Sequence, residues 1–192
     1  MKNVLRAAIA AALVAAPLAV HAGPHDAQIR NVIETNVKNW LSDPVVIESI
    51  KAQNNKHGGL SQTDIDTMDK QWRAETKSGS GQLIGEVLAN SLSAHLKGVK
   101  QGSSGLFTEI FIMDNKGLNV GQSDVTSDYW QGDEAKWKNT FLAGAGAVFI
   151  DEVEFDESTQ QYQVQTSVAI SDPATQEVIG AVTIGVNVEM LQ

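Results

Sequence analysis

Apolar residues at Ile29, Val32, Ile33, Val37, Trp40, Leu41, Val46, Ile47 and Ile50 recur at three- to four-residue intervals, the stripe of an amphipathic helix over residues 26–50. Asp43-Pro44 interrupts it. Asp43 can cap a new helix and Pro44 fits a first turn, so the spacing predicts a kink or restart there. After a break at 54–59, Ser61 is placed as an N-cap with Asp64 at the capping-box position and Leu60 ready to staple onto Ile65. That second helix buries Ile65, Met68 and Trp72 and ends at Ser78-Gly79-Ser80-Gly81. A third helix carries Leu83, Ile84, Val87, Leu88, Leu92 and Leu96, with Gly98 as its expected terminator.

Beyond the Gly102-Ser103-Ser104-Gly105 loop the period changes from helix to strand. Residues 106–113 are rich in β-branched and aromatic side chains, Asp114-Asn115-Lys116-Gly117 reads as a hairpin turn, and 118–122 returns. A polar and aromatic crossing over 123–140 follows, with a short helix from about Asp133. Residues 147–155 then alternate, placing Phe149, Asp151, Val153 and Phe155 on one side and Ile150, Glu152, Glu154 and Asp156 on the other. Residues 161–170 pair back onto that strand, and 178–188 close the sequence after Ser171-Asp172-Pro173. Hairpin connections without βαβ alternation predict an antiparallel sheet in an α+β domain, with a helical half at 26–100 and a sheet half at 105–190.

The first 22 residues are expected to lie outside that domain. Lys2 and Arg6 precede a small apolar run broken by Pro17, and Val20-His21-Ala22 offers a small-x-small cleavage site. An uncleaved anchor is the competing reading, but the run is Ala-built and shorter than the roughly 20 residues of a membrane span. The expectation is therefore a signal peptide at 1–22, cleavage near Ala22, and a soluble, periplasmic domain at 23–192. Its formal charge moves from −9 to −11 when Lys2 and Arg6 are removed. Such acidity opposes nucleic-acid binding, which needs a basic face. The absence of cysteine excludes disulfides, thiolate nucleophiles and a lipidated cysteine.

Enzymatic signatures come close and fail. The glycines of 79–85 miss the dinucleotide spacing and follow no strand; Gly144-Ala145-Gly146 leads into a strand and not a helix. No Gly-x-Ser-x-Gly or His-Glu-x-x-His occurs, and Asp114-Asn115-Lys116-Gly117 lacks the alternating oxygen ligands of a calcium loop. No catalytic residue, metal site or cofactor is assigned. The acidic run 151–157 reads first as a solvated strand face.

Several stretches carry a family resemblance in their order and spacing: Asn39-Trp40-Leu41-Ser42-Asp43-Pro44, Leu60-Ser61 with Asp69-Lys70-Gln71-Trp72, Glu109 through Gly117, Ser127-Asp128-Tyr129-Trp130-Gln131-Gly132-Asp133-Glu134, and Ile179 through Val186. Over almost all of 23–192 the sequence resembles a single Cache (PDC-type) domain, a PAS-like extracytoplasmic sensor fold. The resemblance implies a long N-terminal helix and further helices packed on a five-stranded antiparallel sheet. It also implies ligand binding without chemistry. Family members usually sit between two transmembrane helices, whereas this sequence stops at Gln192 just after the last expected strand. A freestanding form, signalling through a membrane sensor kinase or chemoreceptor and dimerising through the first helix, is the matching expectation; the equal alternative is that the sheet uses up the helix stripe.

The crossing is the densest mixture of aromatic and polar groups in the sequence, the combination that small-ligand pockets use. In Cache domains the matching segment covers the sheet and supplies ligand contacts, which makes Asp128, Tyr129, Trp130, Asp133, Lys136 and Trp137 candidate ligand-binding residues. The alternative is that Trp130 and Trp137 merely pack the crossing onto the sheet. Gln163, Gln165 and Ser167 share one strand face; if it floors the pocket, Gln165 and Ser167 join the site, and if it faces solvent, Val164, Thr166 and Val168 floor the core instead. The resemblance places a small organic acid first among ligands, held by Lys136 or Lys138. A cationic amine, held by Asp128, Asp133 and the rings, stands second, since no Lys or Arg follows Lys138 while eight carboxylates do. An interaction module without ligand, or a small exported hydrolase using Asp128, Asp133 or Glu134, are the rival classes.

Overall fold

The structure is a computed structural model and describes residues 23–157 and 159–191; the expected signal peptide at 1–22 lies outside the described residues. The first helical stretch runs as α1 (Asp26–Val32), a π-helical turn (Ile33–Val37) and α2 (Lys38–Leu41), then restarts as α3 (Pro44–His57). Pro44 occupies the first turn of α3, as the sequence predicts, while Asp43 caps through its backbone carbonyl, which accepts from Val46 and Ile47, and not through its side chain. The helix α4 (Gln62–Ser78) opens on the full Ser61–Asp64 capping box and closes on Gly79 at φ 80°, a left-handed conformation that suits glycine. Glu75 of α4 then accepts hydrogen bonds from the Leu83 and Ile84 amides, which fixes the start of the next helix.

The expected third helix is two. α5 (Gln82–Ala89) and α6 (Ser91–Gly102) meet at Asn90, which sits in an extended conformation and caps α6 by accepting from the Ser93 amide. The helix runs through Gly98 and ends four residues later than the sequence predicts.

Among the described residues the sheet has five antiparallel strands: β1 (Phe107–Met113), β2 (Asn119–Gln122), β3 (Val148–Asp156), β4 (Gln161–Ser171) and β5 (Val178–Asn187). Their spatial order is β2-β1-β5-β4-β3, so the last strand is central. The fold is thus α+β, helices on an antiparallel sheet, as the Cache resemblance implied.

Strand alternation gives the sheet two faces. One, with Ile110, Ile112, Val164, Val168, Val182 and Ile184, packs against Ile29, Ile33, Val37, Trp40, Ile47 and Ile50 in the main core. The first-helix stripe is buried there. The opposite face presents Phe111, Met113 and Ala181, which Trp137 of the crossing and the adjoining Phe141 cover at one end. A third cluster joins Ile65 and Trp72 of α4, Ile84 and Val87 of α5, Leu118 and Tyr129.

The alternation expected in β3 breaks at a bulge. Ile150 pairs with Thr166 and Val153 with Val164, so Asp151 and Glu152 together oppose Gln165. The extra residue flips the register. Phe149 therefore shares a face with Ser167, while Val153 shares the opposite one with Val164, whereas unbroken alternation places both on one side.

Candidate ligand-binding site

Because β5 is central, its register decides which side chains meet above the sheet. Glu109 of β1 and Gln165 of β4 both stand opposite Gly185. Strands on either side of a shared neighbour are roughly 9–10 Å apart, a gap that an ordinary central side chain would fill. Gly185 has none, and Gln165 Nε2 donates across it to Glu109 Oε1 at 2.8 Å. Gln163 Nε2 reaches the same oxygen at 3.4 Å, and its own Oε1 accepts from the Thr108 hydroxyl. A Cβ at position 185 would collide with Thr108 Oγ1 and Gln163 Oε1.

This polar floor is the free end of the second sheet face. The crossing roofs it with Val125, Thr126, Ser127, Gln131 and Lys136, and the end of β3 walls it with Glu154, Asp156 and Glu157. The cleft so formed holds about 380 Å³, the scale of a small-ligand pocket. A further hollow of about 460 Å³ lies between the start of α1 and β3, with Gly23, the first described residue, in its wall.

Two charged groups dominate the interior. Burial pushes the Glu109 carboxyl above the usual carboxylate range, against the opposing pull of the Gln165 hydrogen bond and the Lys136 charge. Lys136 projects from the short helix α7 (Ala135–Lys138); its ammonium pairs with Glu134 at 2.8 Å and lies 5.6 Å from the centre of the Phe111 ring.

The crossing is fastened by α4. Asp69 Oδ1 accepts from the Tyr129 and Trp130 amides at 2.9 and 3.1 Å, and Trp72 Nε1 donates to the Thr126 carbonyl at 2.9 Å. Arg73 bridges Asp69 at 2.7 Å and Asp128 at 2.6 Å. Asp69, Trp72 and Arg73 lie three and four residues apart, on one side of the helix.

The structure separates the residues singled out in the sequence. Lys136 and Gln165 line the cleft. Ser167 lies further along the same face, buried and hydrogen-bonded to Thr183 at 2.9 Å. Asp128 sits at the Arg73 ion pair. Tyr129 stacks on Trp72, ring centres 5.3 Å apart, and Trp130 donates to the Lys116 carbonyl at 2.8 Å. Trp137 stacks on Phe141 and donates to the Asp114 carbonyl at 3.1 Å. Asp133 is exposed, its carbonyl accepting from Lys138. The face of β4 carrying Gln163 and Gln165 floors the cleft, and Val164, Thr166 and Val168 face the helices.

Glu109, Phe111 and the end of β3 were missed. Glu109 is the one carboxylate in a strand that is apolar but for Thr108, a signal that was available in the sequence. Glu154 and Asp156 are on an outward strand face as expected, but that face borders the cleft. Among the described residues no helix is long and apolar enough to cross a membrane, and no group of three or more His, Asp or Glu is placed to hold a metal ion.

No family model matches the sequence, and neither does any curated protein. Among solved structures the chain is similar to the sensor domain of E. coli DcuS, with 13% identity, a TM-score of 0.49, and coverage of 86% of this chain and 92% of that one. The sensor domain of the V. cholerae histidine kinase DctB follows at 11% identity and TM-score 0.44, covering 85% of this chain and 54% of that one. The sensory domain of the Campylobacter jejuni chemoreceptor Tlp3, with isoleucine bound, matches at 16% identity and TM-score 0.40, over 88% of this chain and 66% of that one. The chain therefore spans only about half of the DctB domain. All three of those structures are sensor domains.

Proposed function

We propose that this is a periplasmic Cache-type sensor domain, exported by the signal peptide at 1–22, which binds a small molecule in the cleft beneath the crossing and performs no chemistry on it. The observation that carries this reading is the way the cleft is built: its roof, residues 125–131, is the segment that Asp69, Trp72 and Arg73 of α4 hold. A ligand that draws the roof toward the floor therefore acts on α4 as well, a route from binding to a change at the helical layer. The output passes to a membrane sensor kinase or chemoreceptor. A homodimer through the first helix would use its polar side, because the apolar stripe is buried against the sheet.

Of the three carboxylates named for a hydrolase, Asp128 is paired with Arg73, Glu134 with Lys136, and Asp133 is exposed and lies outside the cleft lining. That supports binding over catalysis. A small organic acid would find Lys136 as its cationic contact, and an amine would find Glu109.

Thermal-shift screening of the purified protein against organic acids, amino acids and amines tests the reading. A ligand at 100 times its Kd adds about 2.7 kcal/mol of stability. The expected result is a hit whose affinity falls in Gln165→Ala; hits indifferent to that substitution would move the site away from the cleft.

A further inference from the structure

We infer that the ligand is an organic cation, an alkylammonium compound whose charged head sits on Glu109 and whose hydrocarbon lies along Val125. The inference rests on the cleft being the ligand site and deepens that reading by naming the ligand class.

Three observations carry it. First, the lining carries the carboxylates of Glu109, Glu154, Asp156 and Glu157 against the single ammonium of Lys136. Lys136 is already paired with Glu134 at 2.8 Å, so a carboxylate ligand would have to share a charge that is already balanced and enter beside a largely buried carboxyl group of its own sign. Second, both amide donors reach the same oxygen of Glu109, Oε1. Among the described residues no hydrogen bond is formed to Oε2, the atom left to accept from an ammonium N–H. Third, the roof offers apolar surface: Val125 is 46% exposed. That surface suits a cation that carries hydrocarbon, while the Phe111 ring beneath is buried and already faced by the Lys136 ammonium at 5.6 Å.

Calorimetry on the purified protein with n-butylammonium, choline and 1,4-diaminobutane, set against succinate and L-alanine, tests the inference. The expected result is binding of at least one of the cations, weakened at least about tenfold by Glu109→Gln, as removal of a buried charge partner does. Glu154→Gln, at the solvent side, should weaken it by about two- to fivefold and more at low salt, and Lys136→Met should leave it equal or tighter. If Glu109→Gln fails to fold, the Glu154 and Lys136 variants decide. Succinate binding that Lys136→Met abolishes, with no cation bound, overturns the cation and leaves the sensor cleft standing. Alanine binding that needs both Glu109 and Lys136 replaces it by a zwitterion. Absence of any binding across acids, amino acids and amines removes the cleft reading together with the cation.

Discussion

Glu109 and Gln165 meet at 2.8 Å although their strands do not pair, because the residue between them on β5 is Gly185. A Gly185→Val substitution fills that gap and drives apart Thr108 and Gln163 as well. The expected cost is about 1–3 kcal/mol of stability, the usual range for overpacking, measured by urea denaturation. Binding in the cleft should fall at least about tenfold, since the substitution removes the bond that holds the carboxylate in place. A variant that lost stability but bound ligand as tightly as before would show that the Glu109–Gln165 bond does not organise the site.

Much of this arrangement is written in local pattern, and the rest depends on register. The Ser61–Asp64 box, the Pro44 restart and the Asp114–Gly117 turn are set by neighbours a few residues apart, so their residue types identify them. The division of α5 from α6 was hidden because the Leu and Ile positions continue across Asn90 without a change of period. In β3 the bulge is invisible to alternation, which assumes one residue per partner. The crossing drew notice for its aromatic rings, yet Tyr129, Trp130 and Trp137 fasten it to α4, the β1–β2 turn and the sheet, while the cleft is lined by residues brought together only by the register of β1, β4 and β5. Period two says which face a side chain takes; it does not say what stands opposite.

Asp114 organises the β1–β2 turn. Its Oδ1 accepts from the Lys116 and Leu118 amides at 2.8 and 2.9 Å, and its Oδ2 is 3.0 Å from both Gln53 Nε2 and His57 Nδ1. Asp114 and His57 are both buried. Asp114→Ala leaves several buried donors unpaired and should cost about 3–5 kcal/mol. Asp114→Asn keeps an acceptor for the two amides, and its loss should be clearly smaller. Equal losses in chemical denaturation would show that charge, and not hydrogen bonding, holds the turn.

The α4 clamp predicts coupling between a helix and the cleft that it does not line. Trp72→Ala removes a fully buried ring, the stack on Tyr129 and the bond to the Thr126 carbonyl. A cost of about 3–5 kcal/mol is expected. Arg73→Ala removes a side chain that is about half exposed and should cost under about 1 kcal/mol. Yet it frees Asp128 and with it the roof, so ligand dissociation should quicken while stability barely changes. Dissociation rates equal to those of the parent protein would place the roof under other control.

Tyr129 gives the alkaline side of the stability profile one identifiable source. Its phenol is buried beneath Trp72, and that burial, with the negative charges of Asp114 and Glu86, pushes its pKa far above the ordinary 10.0. Below that ordinary value the phenol is protonated in both folded and unfolded chains and contributes no pH dependence. Above it the unfolded chain releases the proton and the folded chain keeps it, so the unfolded state binds fewer protons and stability falls as pH rises. The slope from this one group approaches about 1.4 kcal/mol per pH unit. Lysines titrate in the same range, but they are common to the parent protein and to Tyr129→Phe, so the difference between the two isolates the phenol. Urea denaturation between about pH 9 and about pH 11.5 should show the phenylalanine variant gaining on the parent as pH rises. A constant difference across that window would mean that Tyr129 ionises as readily in the folded chain as in the unfolded one, and that the crossing is not closed over it.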